Sequence, residues 1–507
     1  MLRVMQIIRN SARMVGIAAL IAAAALVLTA CNDEIDQVSE QPSVTDTEQT
    51  RQDSPVQAQD EQPVQHEQEA TQAGQPASRS GEDSPQADVD EQTQEAEQVQ
   101  QEQVDHQQEQ QAVSLPPGTT TFLPVDAAET AEGIPIIRDS ERPEYFGRDW
   151  GTIWSIRLID LGELSQGAIR DAIPAISGPL YWTLEEASEV YTDNVPLVQV
   201  NVNGDIRGFP LEILTWHEIV NDTIGGVPVA VTFCPLCNTA IAFESQIGDE
   251  VFKFGVSGLL RNSDLVMYDR NTESLWQQSS GRAIVGAMVG ARLKYVPATV
   301  VTVGQLRSAY PDALVMSRET GWDRPYGQNP YRGYDNPENG GPYSFFFDRD
   351  SIDERLPPAE RVVSIEGPSG AAIAFAWSTL EQERVVHETF DGIDLAVFWT
   401  PGATSILDAG ILRDGREVGT TAVFDSNLNG QALTFSVNPA DEAGQTFVDD
   451  QTGSVWDIFG RAVEGELTGS QLTRVIHSDH FWFAWQAFHP DTEVVSLASA
   501  GGDADEG

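Results

Sequence analysis

Two cysteines three positions apart, in Cys234-Pro-Leu-Cys237, are the sharpest chemical feature of this sequence. Thiols at that spacing can share a metal ion or close a small disulfide. Their flanks separate the chemistries. A thioredoxin-like pair sits at a helix N-terminus, whose dipole lowers the thiol pKa. Here an apolar run, Val227 to Phe233, precedes the pair and the strand-like run Thr239 to Glu244 follows it. That context resembles the knuckle of a metal site, with Asn238 where a residue tolerant of positive φ is needed. One knuckle is half of a tetrahedral site, so further ligands must come from elsewhere. His217, on the preceding helix, and Met267 are the candidates in the first half of the folded region. His477 and His480, in His-Ser-Asp-His, are candidates from the second half. Sulfur with imidazole favours copper(I) or zinc over hard ions. The expected metal set is therefore Cys234, Cys237, His217 and Met267, with His477 or His480 reaching across. A thiol–disulfide or other oxidoreductase built on the same pair is the alternative chemistry. A non-enzymatic module that binds a ligand or protein is the third reading, and enzyme status is left open.

A second cluster is polar. Ser257, Arg261, Asp264, Asp269, Arg270, Glu273 and Trp276 either line a pocket suited to acid–base work or brace a sheet through turns and ion pairs. Asp335 and Glu338 offer carboxylates for calcium, without EF-hand spacing. No Ser-His-Asp order, phosphate loop or dinucleotide glycine pattern stands out.

The elements that hold these residues read mostly as strands. Leu197 to Gly204 alternates with period two, and Leu211 to Val220 has helical apolar spacing. Thr239 to Glu244 and Val251 to Val256 predict a hairpin across Ile247-Gly-Asp249. Leu265 to Tyr268 reads as a further strand and Val303 to Tyr310 as a short helix. Parts of this pattern recur. Thr272-Glu-Ser-Leu-Trp276 returns as Thr452-Gly-Ser-Val-Trp456, and Gly281-Arg-Ala-Ile-Val-Gly286 as Gly460-Arg-Ala-Val-Glu-Gly465. Val220 to Gly226 pairs with Val386 to Gly392. At the second copy of the knuckle, Phe398-Trp-Thr-Pro-Gly-Ala-Thr404, both thiols are missing. The predicted fold is α+β, mainly β, with two homologous tandem repeat units packed as one pseudo-symmetric globular region.

The chain has 507 residues, enough for two or three domains. Its 78 acidic against 29 basic residues give a formal charge of -49, which repels phosphate backbones and excludes a nucleic-acid partner. Three cysteines exclude a disulfide scaffold. Arg3, Arg9 and Arg13 precede an apolar run that ends Leu28-Thr-Ala-Cys31, which resembles a bacterial lipobox. Residues 1–31 are thus a lipoprotein signal peptide ending at a lipidated Cys31, the membrane partner of an extracytoplasmic protein anchored to the cell or outer membrane. Residues 32–115, rich in Gln and Glu, predict a disordered acidic tether. Residues 116–320 form the first repeat unit, 321–361 an aromatic, Gly- and Pro-rich connector, 362–497 the second unit, and 498–507 a disordered acidic tail.

The runs Trp216-His-Glu-Ile-Val-Asn-Asp-Thr, Cys234-Pro-Leu-Cys-Asn-Thr-Ala, Phe254-Gly-Val-Ser-Gly-Leu-Leu and Met267-Tyr-Asp-Arg-Asn-Thr-Glu-Ser-Leu-Trp276 carry a family resemblance. From about Gly133 to Leu497 the chain resembles the prokaryotic domain-of-unknown-function family numbered 3179. Members of that family usually carry Gly after the second Cys, where this chain has Asn238. The resemblance implies domain identity and brings no activity with it.

Overall fold

The computed structural model describes residues 128–497 except 131, 140, 144, 148 and 337–340. The expected signal peptide, Cys31, the acidic tether and the C-terminal tail lie outside the described residues, as does Glu338. Strands dominate, and the helices are single short turns of five to seven residues: Leu184–Ser188, Leu211–His217, Val303–Ala309, Trp377–Glu383 and Trp482–Gln486. None is long and apolar enough to cross a membrane.

Six sheets of four to seven strands, with two small ribbons, stand in a β-propeller-like arrangement. Two of the sheets position the cysteines. The first is five-stranded and runs Lys294–Val296, Thr239–Glu244, Val227–Cys234, Ile219–Ile224, Ile176–Ser177. The second is seven-stranded, with the hairpin Phe254–Arg261 and Asp264–Asp269 beside Leu275–Gln277. Their facing sides share the largest apolar core, which contains Phe233, Phe243, Phe254, Met267, Trp276 and both cysteines. At about 25 cal/mol per Å² of apolar surface, burial on this scale is the main force that holds the sheets together.

The predicted hairpin between Thr239–Glu244 and Val251–Val256 does not form. Gly248 does reverse the chain, but it closes only the ribbon of Gln246–Ile247 and Glu250–Val251. The next strand then leaves for the other sheet. The reason is the side chain of Asn221. Its Oδ1 accepts from Phe254 N at 2.8 Å and its Nδ2 donates to Phe254 O at 2.9 Å. With both backbone groups so occupied, Phe254 cannot continue a ladder toward Glu244. The helix from Leu211 also ends earlier than its apolar spacing suggests, because Glu218 takes a positive φ and Ile219 begins a strand.

The recurring Thr-x-Ser-x-Trp motif is a lock within its sheet. Asp269 accepts from Thr272 N at 2.5 Å, Thr272 Oγ1 at 2.9 Å and Trp276 Nε1 at 2.9 Å. Asp449 accepts from Thr452 N at 2.6 Å, Thr452 Oγ1 at 2.9 Å and Trp456 Nε1 at 2.9 Å. Both indoles are fully buried. Removal of either carboxylate strands a buried indole N–H and a turn amide. Asp269→Ala and Asp449→Ala should each cost about 3 kcal/mol in urea unfolding, the sum of two or three orphaned donors. A loss below about 1 kcal/mol for either would mean the lock is replaceable by water.

Candidate metal centre

Cys234 ends the strand Val227–Cys234, and Thr239, directly opposite it in the ladder, begins the next. The four residues between form a tight turn in which Cys237 N donates to Cys234 O at 3.2 Å. Asn238 holds φ at +55°, the left-handed conformation that Asn tolerates better than most residues. The pair thus caps a strand–turn–strand and has no helix dipole behind it. Both thiols are free and buried.

A second turn brings a carboxylate to the sulfurs. Asn262 and Ser263, with φ of +49° and +65°, form a two-residue loop of the kind that joins twisted antiparallel strands. Asp264 follows directly, paired with Arg261 across the hairpin. Cys234 Sγ donates to Ser263 O at 3.7 Å. Cys234 Sγ, Cys237 Sγ and a carboxylate oxygen of Asp264 all lie within 4.8 Å of one another, and all three residues are buried. Asp264 Oδ2 accepts from Gln277 Nε2 and from Ser279 N at 3.0 Å, while its Oδ1 and the hydroxyl of Ser263 have no hydrogen-bond partner.

Glu218 stands beside this group. Its carbonyl accepts from the amide of Phe233, the residue before Cys234, at 2.8 Å. Its side chain is buried, and none of the described residues hydrogen-bonds or ion-pairs with its carboxyl. Burial, then the charge of Asp264, pushes Glu218 up to about 8. Burial likewise pushes Asp264 up to about 6, against the pull of the Ser279 amide and Gln277. Both thiols are raised by burial, Cys237 well above its ordinary value. At pH 7 the two thiols and Glu218 therefore mostly hold their protons, beside an Asp264 that is mostly ionised.

The other residues singled out in the sequence fall elsewhere. His217 is enclosed: Nδ1 meets Pro174 O at 2.7 Å and Nε2 meets Tyr326 Oη at 2.6 Å. Met267 is fully buried on the strand Asp264–Asp269, opposite Val256 and Trp276, in the same apolar core as the cysteines. His477 Nδ1 meets Val475 O at 2.8 Å. His480 uses both nitrogens, Nδ1 with Thr239 Oγ1 and Nε2 with Ser478 Oγ, each at 2.8 Å. Burial pulls the two imidazoles down to about 4 and about 3, so both are neutral at pH 7. The second half of the chain does touch the cysteine turn, through His480 on Thr239 and through Phe481 N, which donates to Cys237 O at 2.8 Å.

Of the polar cluster, only Asp264 joins the sulfurs. Ser257 donates to Val266 O and also lines an open cleft of about 360 Å³ with Tyr145, Trp150 and Arg170. Arg261 pairs with Glu163, Arg270 with Asp171, and Glu273 with Arg170 and the amide of Gly151. Asp269 and Trp276 form the lock described above. Asp335, the calcium candidate, is fully buried between Arg361 and Arg416. The sequence offers Asp264 either to a pocket or to a sheet brace, and it singles out His217 rather than its neighbour Glu218. The Asn262-Ser263 turn was the available signal, since it puts Asp264 at a hairpin end as the Cys turn puts Cys237.

The carboxyl shifts fix a pH dependence. Unfolded values are about 3.9 and 4.3, below both folded ones. The folded state then binds more protons than the unfolded state, so its stability is fully present at low pH and is lost as pH rises toward about 8. In chelator-treated protein this loss runs from about pH 4 to pH 8, opposed at the acid end by His477 and His480, whose lowered values add stability as pH rises, so it is read as the difference between wild type and a variant. Glu218→Gln, which keeps the shape of the protonated acid, should flatten the upper part of that curve, and superimposable curves would remove Glu218 as its source.

Residues 170–492 match the family described as protein of unknown function (DUF3179). No curated protein and no solved structure matches the chain. The matched segment covers more than half of the chain and contains the cysteine turn, Asp264 and Glu218, and the protein belongs to the DUF3179 family.

Proposed function

We propose that this protein is a membrane-anchored extracytoplasmic lipoprotein that binds one soft or borderline divalent metal ion, zinc in preference to copper, through Cys234, Cys237 and Asp264. The observation that carries the reading is the convergence of two buried sulfurs on a buried carboxylate whose Oδ1 lacks a hydrogen bond. Buried polar atoms in native folds are nearly always satisfied, and a cation satisfies this one. In a tetrahedral zinc site, bonds of about 2.3 Å to sulfur and 2.0 Å to oxygen place donor atoms under about 4 Å apart, which the 4.8 Å cluster accommodates. Two sulfurs with a carboxylate oxygen favour borderline zinc. Copper(I), a softer ion, would take the two sulfurs and leave the hard carboxylate oxygen of Asp264 outside its shell.

Binding at neutral pH would release the thiol protons, so affinity rises with pH. A thiol–disulfide role fits less well. It needs a thiolate at working pH, and burial here raises both thiols with no helix N-terminus or cation to oppose it.

We also infer that the described region is a duplication. The strand order Ala298–Thr302, Pro196–Val202, Asp205–Pro210, Leu314–Met316 recurs as Ser478–Phe481, Arg361–Glu366, Ala372–Ala376, Glu493–Val495, with the last pair parallel in both. The cysteine sheet recurs as Thr473–Arg474, Thr420–Asp425, Ile393–Thr400, Val385–Phe390. Gly281 packs on Phe243 and Gly460 on Phe424, each at a positive φ where a Cβ would meet the ring below 3 Å.

Full-length protein purified from a native membrane fraction should carry about one zinc per chain, and Cys234→Ser with Cys237→Ser should carry none. Metal analysis that finds neither zinc nor copper in either protein defeats the metal reading. Cys31→Ser should move the protein from the detergent phase to the soluble fraction; an unchanged partition would defeat the anchor.

A further inference from the structure

Three protein ligands leave one tetrahedral position of a zinc ion to be filled, and the choice decides whether the metal is held or does chemistry. We propose that Glu218 fills it, so that the site closes as Cys234, Cys237, Asp264 and Glu218 around a metal that is stored or structural. This rests on the metal reading above.

Glu218 is 8% exposed, and no described residue donates a hydrogen bond to its carboxyl. An acid buried without a partner is costly, and a cation beside it removes that cost. The nearby histidines are committed: His217 and His480 have no free ring nitrogen. The carboxyl of Glu218 is outside the 4.8 Å group and has to turn inward to ligate. Its backbone already sits against the site, through its carbonyl on Phe233 N and its amide on Leu214 O at 2.6 Å.

The second half of the chain supplies the contrast. Arg384 ends the helix Trp377–Glu383 as Glu218 ends Leu211–His217, with φ of +67° against +57°. Its amide donates to Leu380 O at 2.7 Å and its carbonyl accepts from Trp399 N at 2.9 Å, the same two contacts. The positive φ is thus a property of the fold and says nothing of a ligand. The side chain differs. Where Thr400 follows Trp399, the turn carries Arg, its guanidinium 4.5 Å from the Trp399 ring. Where Cys234 follows Phe233, it carries an acid. Charge at this position reverses with the presence of sulfur. A cation between sulfurs and carboxyls accounts for both choices, since an arginine at 218 would compete with it.

A closed set of four protein donors leaves no position for a reactive water. Beside the turn, the cavity that Phe233 and Asn238 line with Arg361 and Asp479 measures about 30 Å³. That is room for one or two waters and for no organic substrate.

The test is zinc titration of chelator-stripped full-length protein against a chromophoric competitor, for wild type, Glu218→Gln, Glu218→Ala and Cys234→Ser. The metal-free melting temperature of Glu218→Gln should equal that of wild type near pH 4 and should not fall below it at pH 7, because glutamine reproduces the neutral acid and does not ionise on unfolding. Both Glu218 variants should bind zinc at least tenfold more weakly, with a smaller zinc-induced rise in melting temperature. Cys234→Ser should lose most of the binding. If wild type and both Glu218 variants bind alike while Cys234→Ser does not, Glu218 is no ligand and the three-residue site stands. If wild type binds neither zinc nor cobalt, both proposals fall.

Discussion

Four acidic groups buried together without a basic partner set the terms for this site. Asp264, Glu218, Cys234 and Cys237 are all withdrawn from water, and among the described residues no lysine or arginine pairs with either carboxyl. Asp335 shows what the same fold does when it needs a buried carboxylate to stay charged. Burial alone would raise it, yet Arg361, Arg416 and the hydroxyl of Ser405 hold it below its ordinary value. Asp264 receives the amide of Ser279 and the carboxamide of Gln277 and no cation, and it goes the other way. Two equally buried aspartates, with opposite shifts, differ in whether a cation is built in. At the cysteine turn none is, and a metal ion is the cation that thiols and carboxylates can share.

That arrangement depends on strand ends more than on strand interiors. Asn238, Ser263 and Glu218 all hold positive φ, and each sits where a ladder stops. Side chains inside the ladders alternate between faces and are consumed by packing. Residues at the reversals are free of that alternation, so a cysteine turn from one sheet and the Asn262-Ser263 turn from another can aim at one point. The backbone cost of three left-handed residues, about 1 kcal/mol each for non-glycine, is carried by the surrounding ladders.

Much of the scaffold was legible because period-two alternation and short apolar runs are local signals. The strands Pro196–Val202, Val227–Cys234 and Thr239–Glu244 and the helix Val303–Ala309 follow the pattern closely. The failed hairpin depended on Asn221, a side chain 33 residues from the backbone it captures, and no local pattern carries that information. The histidines illustrate the same limit. His217 is sealed by Pro174 and Tyr326, 43 and 109 residues away, and His480 by Thr239, 241 residues away. A histidine's availability as a ligand is fixed by who else holds its nitrogens, which composition and spacing do not report. Asp264 and Glu218 were visible as residues but not as neighbours of the sulfurs.

The second half of the chain separates what the fold requires from what the site requires. The Asp449 lock repeats that of Asp269 to within 0.1 Å at three shared contacts, so those residues serve the architecture. At the position that the inferred duplication aligns with Cys234, however, Thr400 hydrogen-bonds Thr420 and Gln305, an ordinary satisfied polar contact. The same ladder end is therefore stable with hydroxyls and amides alone. A pair of thiols with two unpaired acids is a worse solution by any count of hydrogen bonds or desolvation. On the metal reading proposed above, its presence in one half only follows from chemistry the hydroxyls cannot perform, the binding of a thiophilic cation by a closed, acid-lined turn.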